Sequence, residues 1–327
     1  MKMRTLGRTG LEVSELSFGG LFIASLFNTY DPAVAAMKKA VELGINYFDT
    51  APGYGDSESV LGQGLRQINA PIIVSTKFGG RPEPFNAKDK DGLMQSFEES
   101  LRLLGRDHID MLLIHEPDRP GQHDWWDDVD NAIGPVMEVL EQLKKDGVIS
   151  YIGLGGTTAY EMTRCINTGK FDVVLTAFNY SLLFREAEIE VLPAAKKQNM
   201  GIIIGSPLQQ GALSRRYDEE VNNGAPWLSS PRRKQYKALY ALLDEIQLPL
   251  AEVALRFVIS NPDISCTLMG ARTPEEVELN VASIEKGPLP ADLIARLDEI
   301  AAMVPFRPFE EPFGLPFGSD YKGPGRA

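Results

Sequence analysis

Eight short apolar runs, nearly all followed by a helix-patterned stretch, constrain this chain more than any other feature. The runs are Leu16–Gly20, Ile45–Phe48 with Asp49 at its end, Pro71–Lys77, Ile109–His115, Ile149–Gly153, Asp172–Leu175, Gly201–Ile204 and Cys266–Met269. Helical patterns between and after them start near Asp31, Ser57, Leu93, Ala132, Ala159, Glu186, Arg233, Leu250 and Pro274. Asp31 reads as an N-cap with Pro32 at the first helical position, and Gly44 follows the helix end. Near-continuous apolar strands alternating with amphipathic helices mean a parallel sheet with right-handed crossovers. Eight such units in 327 residues favour a closed (β/α)8 TIM barrel over an open sheet. Residues 3 to 18 read as an N-terminal β-hairpin turned at Gly7-Arg8-Thr9-Gly10. The segment from Leu208 to about Pro231 is long and irregular. No linker composition interrupts the chain before the Pro- and Gly-rich stretch at 304–327. We therefore expect one barrel domain over 1–327, with 304–327 as a C-terminal extension over the active-site rim.

The net charge of −12 argues against nucleic acid and anionic membranes as partners. No apolar run approaches the ~18 residues that span a bilayer. The start, Met1 to Gly7, lacks the apolar core of a signal peptide. A soluble, cytoplasmic protein is the expectation. Cys165 and Cys266 lie in apolar segments and read as buried free thiols. Neither a disulfide framework nor a metal site is visible.

Three successive strand runs end in Asp49, Lys77 and His115, and Tyr54 follows five residues after Asp49. On a barrel the ends of strands two, three and four meet at one rim, where loops enclose a crevice. Hydride attack on a carbonyl builds negative charge on oxygen, and a proton must be delivered there. A tyrosine near pKa ~10 is a weak acid at neutral pH. A neighbouring ammonium stabilises its phenolate, a carboxylate keeps that ammonium charged, and a histidine holds the carbonyl oxygen. Each residue has a plainer reading. Asp49 could cap the helix beginning near Asp56, Tyr54 could be a half-buried aromatic, Lys77 could snorkel to solvent, and His115 could be satisfied by backbone. Four plain readings together are a poor account of one rim.

The chain resembles the aldo-keto reductase superfamily, and within it the aldose and galactose dehydrogenase-like branch. The matching motifs are Asn46 to Gly55, Ser75-Thr76-Lys77 and Leu112 to His115, and the resemblance runs from the Gly7–Gly10 turn to Asn280. It implies a barrel that binds a nicotinamide dinucleotide without a Rossmann domain. It also implies Tyr54 as general acid/base, Asp49 and Lys77 as its tuning pair, and His115 as the orienting residue. Gly20, Asp49, Ser206, Leu208 and Gly211 fall at cofactor-binding positions of the pattern.

Other cofactor positions depart from it. Gly155-Gly156-Thr157-Thr158 stands where a Ser-Asn pair usually grips the carboxamide, so Thr157 or Asn179 is the expected substitute. Gly205 stands where an aromatic usually stacks on the nicotinamide. In the phosphate-binding segment Gly270 replaces a common lysine, and Glu276 replaces an arginine that binds the 2′-phosphate. Asn280 fits the adenine side. We expect NADP(H), with NAD(H) as the alternative, because Arg272 is the only nearby cation and a 2′-phosphate would use it. The substrate pocket is expected from Phe22 to Tyr30, Glu116 to Trp126, Leu208 to Pro231, and the aromatics Phe306, Phe309, Phe313 and Phe317. Phe22, Tyr54, His115, Trp125 and Trp126 are the named substrate candidates. Trp125 and Trp126 beside acids suit a sugar or another hydroxylated carbonyl. The alternative puts one tryptophan in the packed core and the acids in solvent.

The leading reading is thus an NAD(P)-dependent oxidoreductase acting on a small-molecule carbonyl or sugar. A cofactor-binding regulatory subunit of the same fold is the alternative. A metal-dependent hydrolase is disfavoured, since His-x-His and carboxylate clusters are missing from the strand ends. Formation of a homo-oligomer is left open.

Overall fold

Residues 1–119 and 122–306 are described in the computed structural model. The chain starts with two three-residue strands, β1 (Met3–Thr5) and β2 (Glu12–Ser14), paired antiparallel. Their connection carries Gly7 in a left-handed conformation (φ +50°), against the backbone of Met200 and Gly201. A Cβ at Gly7 would stand 2.3 Å from the Gly201 nitrogen, so only glycine lets the turn sit there. Leu6 and Val13 thereby enter the cluster that fills the barrel interior, with Tyr47, Met111, Leu113, Val173, Leu175, Ile203, Cys266 and Leu268. The hairpin plugs the end opposite the candidate site.

Eight parallel strands close into a barrel in the order β10-β3-β4-β5-β6-β7-β8-β9. They are β3 (Leu16–Gly19), β4 (Tyr47–Asp49), β5 (Ile73–Phe78), β6 (Ile109–His115), β7 (Ile149–Gly156), β8 (Val173–Ala177), β9 (Gly201–Gly205) and β10 (Cys266–Met269). Alternate residues face inward; the others pack on a helical layer. That layer contains α1 (Tyr30–Glu42), α2 (Ser57–Leu65), α3 (Lys90–Leu104), α4 (Pro135–Lys145), α5 (Tyr160–Asn167) and α6 (Val191–Lys197). It continues with α7 (Asp218–Asn223), α8 (Ser230–Ile246), α9 (Leu250–Ser260), α10 (Pro274–Glu285) and α11 (Ala291–Ala302). No helix among the described residues is long and apolar enough to cross a membrane.

The barrel and hairpin agree with expectation; several boundaries do not. Asp31 lies inside the first turn of α1, with Thr29 at the cap position. The Thr29 carbonyl accepts from the Ala33 amide at 3.2 Å, so the first turn closes ahead of Asp31. The helix expected over Glu186 to Gln198 divides into a single 3-10 turn and α6. Pro193 forces this, because it is tolerated in the first turn of a helix and not deep inside one. Helix α8 begins at Ser230 behind Ser229, whose side chain accepts from the Arg232 amide. Most of the expected C-terminal rim cover, including Phe309, Phe313 and Phe317, lies outside the described residues. Phe306 is exposed.

Candidate active site

The ends of β4, β5 and β6 bring Asp49, Lys77 and His115 to one rim, with Tyr54 above them. Lys77 Nζ donates to both Asp49 oxygens, at 2.8 and 2.7 Å, and to the Thr50 carbonyl at 2.8 Å. Lys77 is 1% exposed and Asp49 2%. Lys77 therefore does not snorkel. Asp49 spends its carboxylate on the lysine and caps no helix. The ammonium lies 4.9 Å from the Tyr54 ring centroid, and the His115 ring meets Tyr54 edge-on at 5.6 Å.

Ser75 extends this group and was not anticipated. Its hydroxyl donates to Asp49 Oδ1 at 2.6 Å and sits 2.8 Å from the Tyr47 hydroxyl. The signal was present: Ser75 is two residues before Lys77, hence on the same strand face, and its register partner is Asp49.

The electrostatics follow from burial and from the lysine. Burial would lower the Lys77 pKa, but Asp49 and Tyr54 outweigh it and raise the value. Tyr54 corrects a simple expectation. Lys77 does pull its pKa down, yet desolvation pushes harder and the net value is raised. Burial, then the Lys77 charge, push His115 down to about 3, so its imidazole is neutral.

Gly155 and Gly156 end strand β7. A Cβ at Gly155 would lie 3.3 Å from Lys77 Cε, inside the rim. A Cβ at Gly156 would fall 2.0 Å from Asp118 Oδ1. Asp118 is buried and accepts from the Thr158 amide at 2.6 Å, which pins the loop after β7. Thr157 is buried and donates to Glu116 Oε2 at 2.6 Å. Burial, then Asp118, push the Glu116 carboxyl up to about 7.

The other named residues fall into groups. Asn179 is buried, and its amide donates to Thr176 Oγ1 at 3.1 Å. Ser206 and Gly211 both have positive φ in the loop that carries Leu208 after β9. A Cβ at Gly205 would stand 3.0 Å from Leu175 and 3.1 Å from Ala177. Gly20 packs against the Asp49 carbonyl, where a Cβ would come to 2.8 Å. The half-buried Phe22 ring lies on Gly270, 2.4 Å from where a Cβ would be, and packs on Phe27. Asn280 reaches Met269 Sδ at 3.6 Å. Trp125 is buried, its indole donates to the His115 carbonyl at 3.1 Å, and its ring packs on Phe85 and His123. Trp126 donates to the Pro117 carbonyl at 3.0 Å and turns toward Phe171 in the outer layer.

Arg272 and Glu276 are paired. The guanidinium donates to Glu276 Oε1 at 3.0 Å, and the Arg272 amide donates to Oε2 at 2.8 Å. The Glu276 amide donates to Thr273 Oγ1 at 3.3 Å. Thr273-Pro274-Glu275-Glu276 is a close variant of the capping box, a pattern readable from the sequence. Glu276 is therefore part of the start of α10 as well as a cofactor candidate.

Comparison with known proteins agrees with this geometry. The model of the Aldo/keto reductase family matches residues 15–302. An L-galactose dehydrogenase of Arabidopsis thaliana is 32% identical, over 87% of this chain and 88% of that protein. A pyridoxal 4-dehydrogenase of Microbacterium luteolum is 31% identical, over 86% of this chain and 93% of that one. Among solved structures, an aldo-keto reductase of Bacillus halodurans in its holo form superposes with a TM-score of 0.75. It is 27% identical and the match covers 94% of this chain and 98% of that one. With the barrel, its rim and these similarities together, the chain belongs to the aldo/keto reductase family.

Proposed function

We propose that this protein is a nicotinamide-dependent oxidoreductase interconverting a carbonyl and an alcohol, with Tyr54 as its general acid/base. The observation that carries the reading is the buried Lys77–Asp49 pair beneath Tyr54, with His115 alongside. The nicotinamide coenzyme supplies or accepts the hydride. The residues of the rim fit such a group. Gly155 and Gly205 bring no side chain to the ends of β7 and β9, and a bound ring would draw on Thr157 and Asn179 in competition with their partners Glu116 and Thr176.

The remaining chemistry belongs to the chain. Neutral His115 donates a hydrogen bond to the substrate oxygen and fixes its position. Tyr54 holds its proton at neutral pH, because its pKa is raised, and passes it to that oxygen as negative charge builds there. Lys77 stabilises the phenolate left behind, and Asp49 keeps the ammonium charged in its dry site. In oxidation the same groups run in reverse.

Among coenzymes, the Arg272–Glu276 pair supports NAD(H) over the NADP(H) expected from Arg272 alone. A 2′-phosphate would have to displace a carboxylate already bonded to that guanidinium. Among substrates, the similarity to an L-galactose dehydrogenase supports an aldose or a related hydroxylated carbonyl.

The test is coenzyme absorbance on mixing the protein with NADH or NADPH and carbonyls, or with NAD+ or NADP+ and sugars, with Tyr54→Phe in parallel. Turnover that is lost in Tyr54→Phe supports the proposal. Coenzyme binding without turnover in either direction would move the regulatory-subunit reading ahead.

A further inference from the structure

The alternation of β6 sends His115 inward and would send the next residue outward, to the helical layer. Glu116 breaks it. Its backbone is left-handed (φ +53°), a conformation uncommon for a residue with a side chain, and its amide donates to the Gly155 carbonyl at 2.6 Å. Beyond it Thr157 Oγ1, in the loop after β7, donates to Glu116 Oε2. Oε1 accepts nothing from the described residues. Gly155 keeps the ground beneath clear, since no side chain stands over Lys77 at that point. Glu116 thus follows His115 on a strained backbone, near enough to Tyr54 and Lys77 to feel their charges, with one carboxylate oxygen held by Thr157.

We propose that Glu116 selects hydroxylated substrates: its open carboxylate oxygen accepts a hydrogen bond from a substrate hydroxyl near the reacting carbon. The proposal rests on the oxidoreductase reading of the same rim. An apolar aldehyde gains nothing from such an acceptor and is opposed by the cost of burying a carboxylate against it. A polyhydroxy carbonyl satisfies it.

The same residue would make recognition depend on pH. The groups that act on Glu116 are Asp118 and Arg119 beyond its own strand, Lys77 from β5, Tyr54 from the loop after β4 and Thr157 from the loop after β7. Burial and Asp118 hold its proton on, while Thr157, Arg119 and Lys77 favour its loss, and the balance falls near pH 7. Above that point the acceptor is charged and strong; below it the carboxyl is neutral and weaker.

Two measurements on the parent and on Glu116→Gln test this. The first is the ratio of kcat/KM for galactose to that for butanal, across pH 6 to 8. We expect the parent ratio to rise through pH 7 and the Gln variant to lie on the order of tenfold lower at pH 8, without the rise. An equal ratio in the two proteins overturns the proposal. The second is calorimetric titration of galactose into each protein, which needs no turnover. Binding weakened on the order of tenfold in the variant supports the proposal even if the parent catalyses nothing, in which case the oxidoreductase reading fails alone. Equal binding, or none to the parent, overturns the proposal.

Discussion

Lys77 and Asp49 allow stability and chemistry to be separated. Both side chains are nearly sealed from solvent, at 1% and 3% exposed, and each is the other's main partner. In Lys77→Met the Asp49 carboxylate keeps only the Ser75 hydroxyl, and we expect a loss of about 3–5 kcal/mol. In Asp49→Leu the ammonium keeps only the Thr50 carbonyl and the Tyr54 face, and a loss of similar size follows. The double variant removes both charges and fills the space with apolar atoms, so its stability should return to within about 2 kcal/mol of the parent. All three should lack turnover. Equilibrium urea unfolding, followed by far-UV circular dichroism, measures the three differences. Losses under about 1 kcal/mol in each single variant, adding in the double one, would refute the reasoning, because they describe a pair that water still screens. If the cycle closes as expected, apolar residues serve the fold as well as the ion pair does, and the pair is there for its chemistry.

Three further outcomes follow from the geometry. Because His115 titrates near 3 when folded and near 6.5 when unfolded, the unfolded chain binds the extra proton between those values, and this term lowers stability as pH falls. His115→Asn should therefore gain on the parent by about 1–2 kcal/mol between pH 7 and 4.5, allowing for the ring's partial exposure, and parallel urea curves would contradict it if the gap stays constant. Gly62→Ala places a Cβ 2.1 Å from the Leu103 carbonyl, where α2 crosses α3, and backbone cannot retreat as a side chain can. A loss of about 2–4 kcal/mol is expected there, measured by the same unfolding. Glu276→Ala frees Arg272 and should lower the KM for NADPH on the order of tenfold relative to NADH, with a loss of about 1 kcal/mol from the weakened start of α10. An unchanged coenzyme ratio would rule the pair out as the determinant.

The differences between sequence expectation and structure have separate causes. The boundary at Asp31 and the division before Pro193 are local, set by the turn that Thr29 closes and by proline chemistry. The need for glycine at 156 is not local: Asp118, nearly 40 positions earlier, occupies the place a side chain would take. Arg272 looked like a free cation because charge alone was counted, although the capping pattern that binds Glu276 to it was legible. Glu116 passed as one residue in a loop, since no pattern announces a left-handed kink at a glutamate.

Period and spacing by themselves determined the architecture here. Eight apolar runs with helices between them have few parallel arrangements open to them, and strand ends on a barrel must share a rim. Those two constraints alone bring Asp49, Lys77, His115 and Tyr54 together. Only the tertiary structure decided the balance of forces among them. Whether a phenol's pKa rises or falls depends on how much water is removed against how near an ammonium stands, and both are set by side chains distant in sequence. The same holds for Arg272, whose charge is answered by Glu276, and for Glu116, whose backbone turns left-handed and whose carboxylate is held by Thr157.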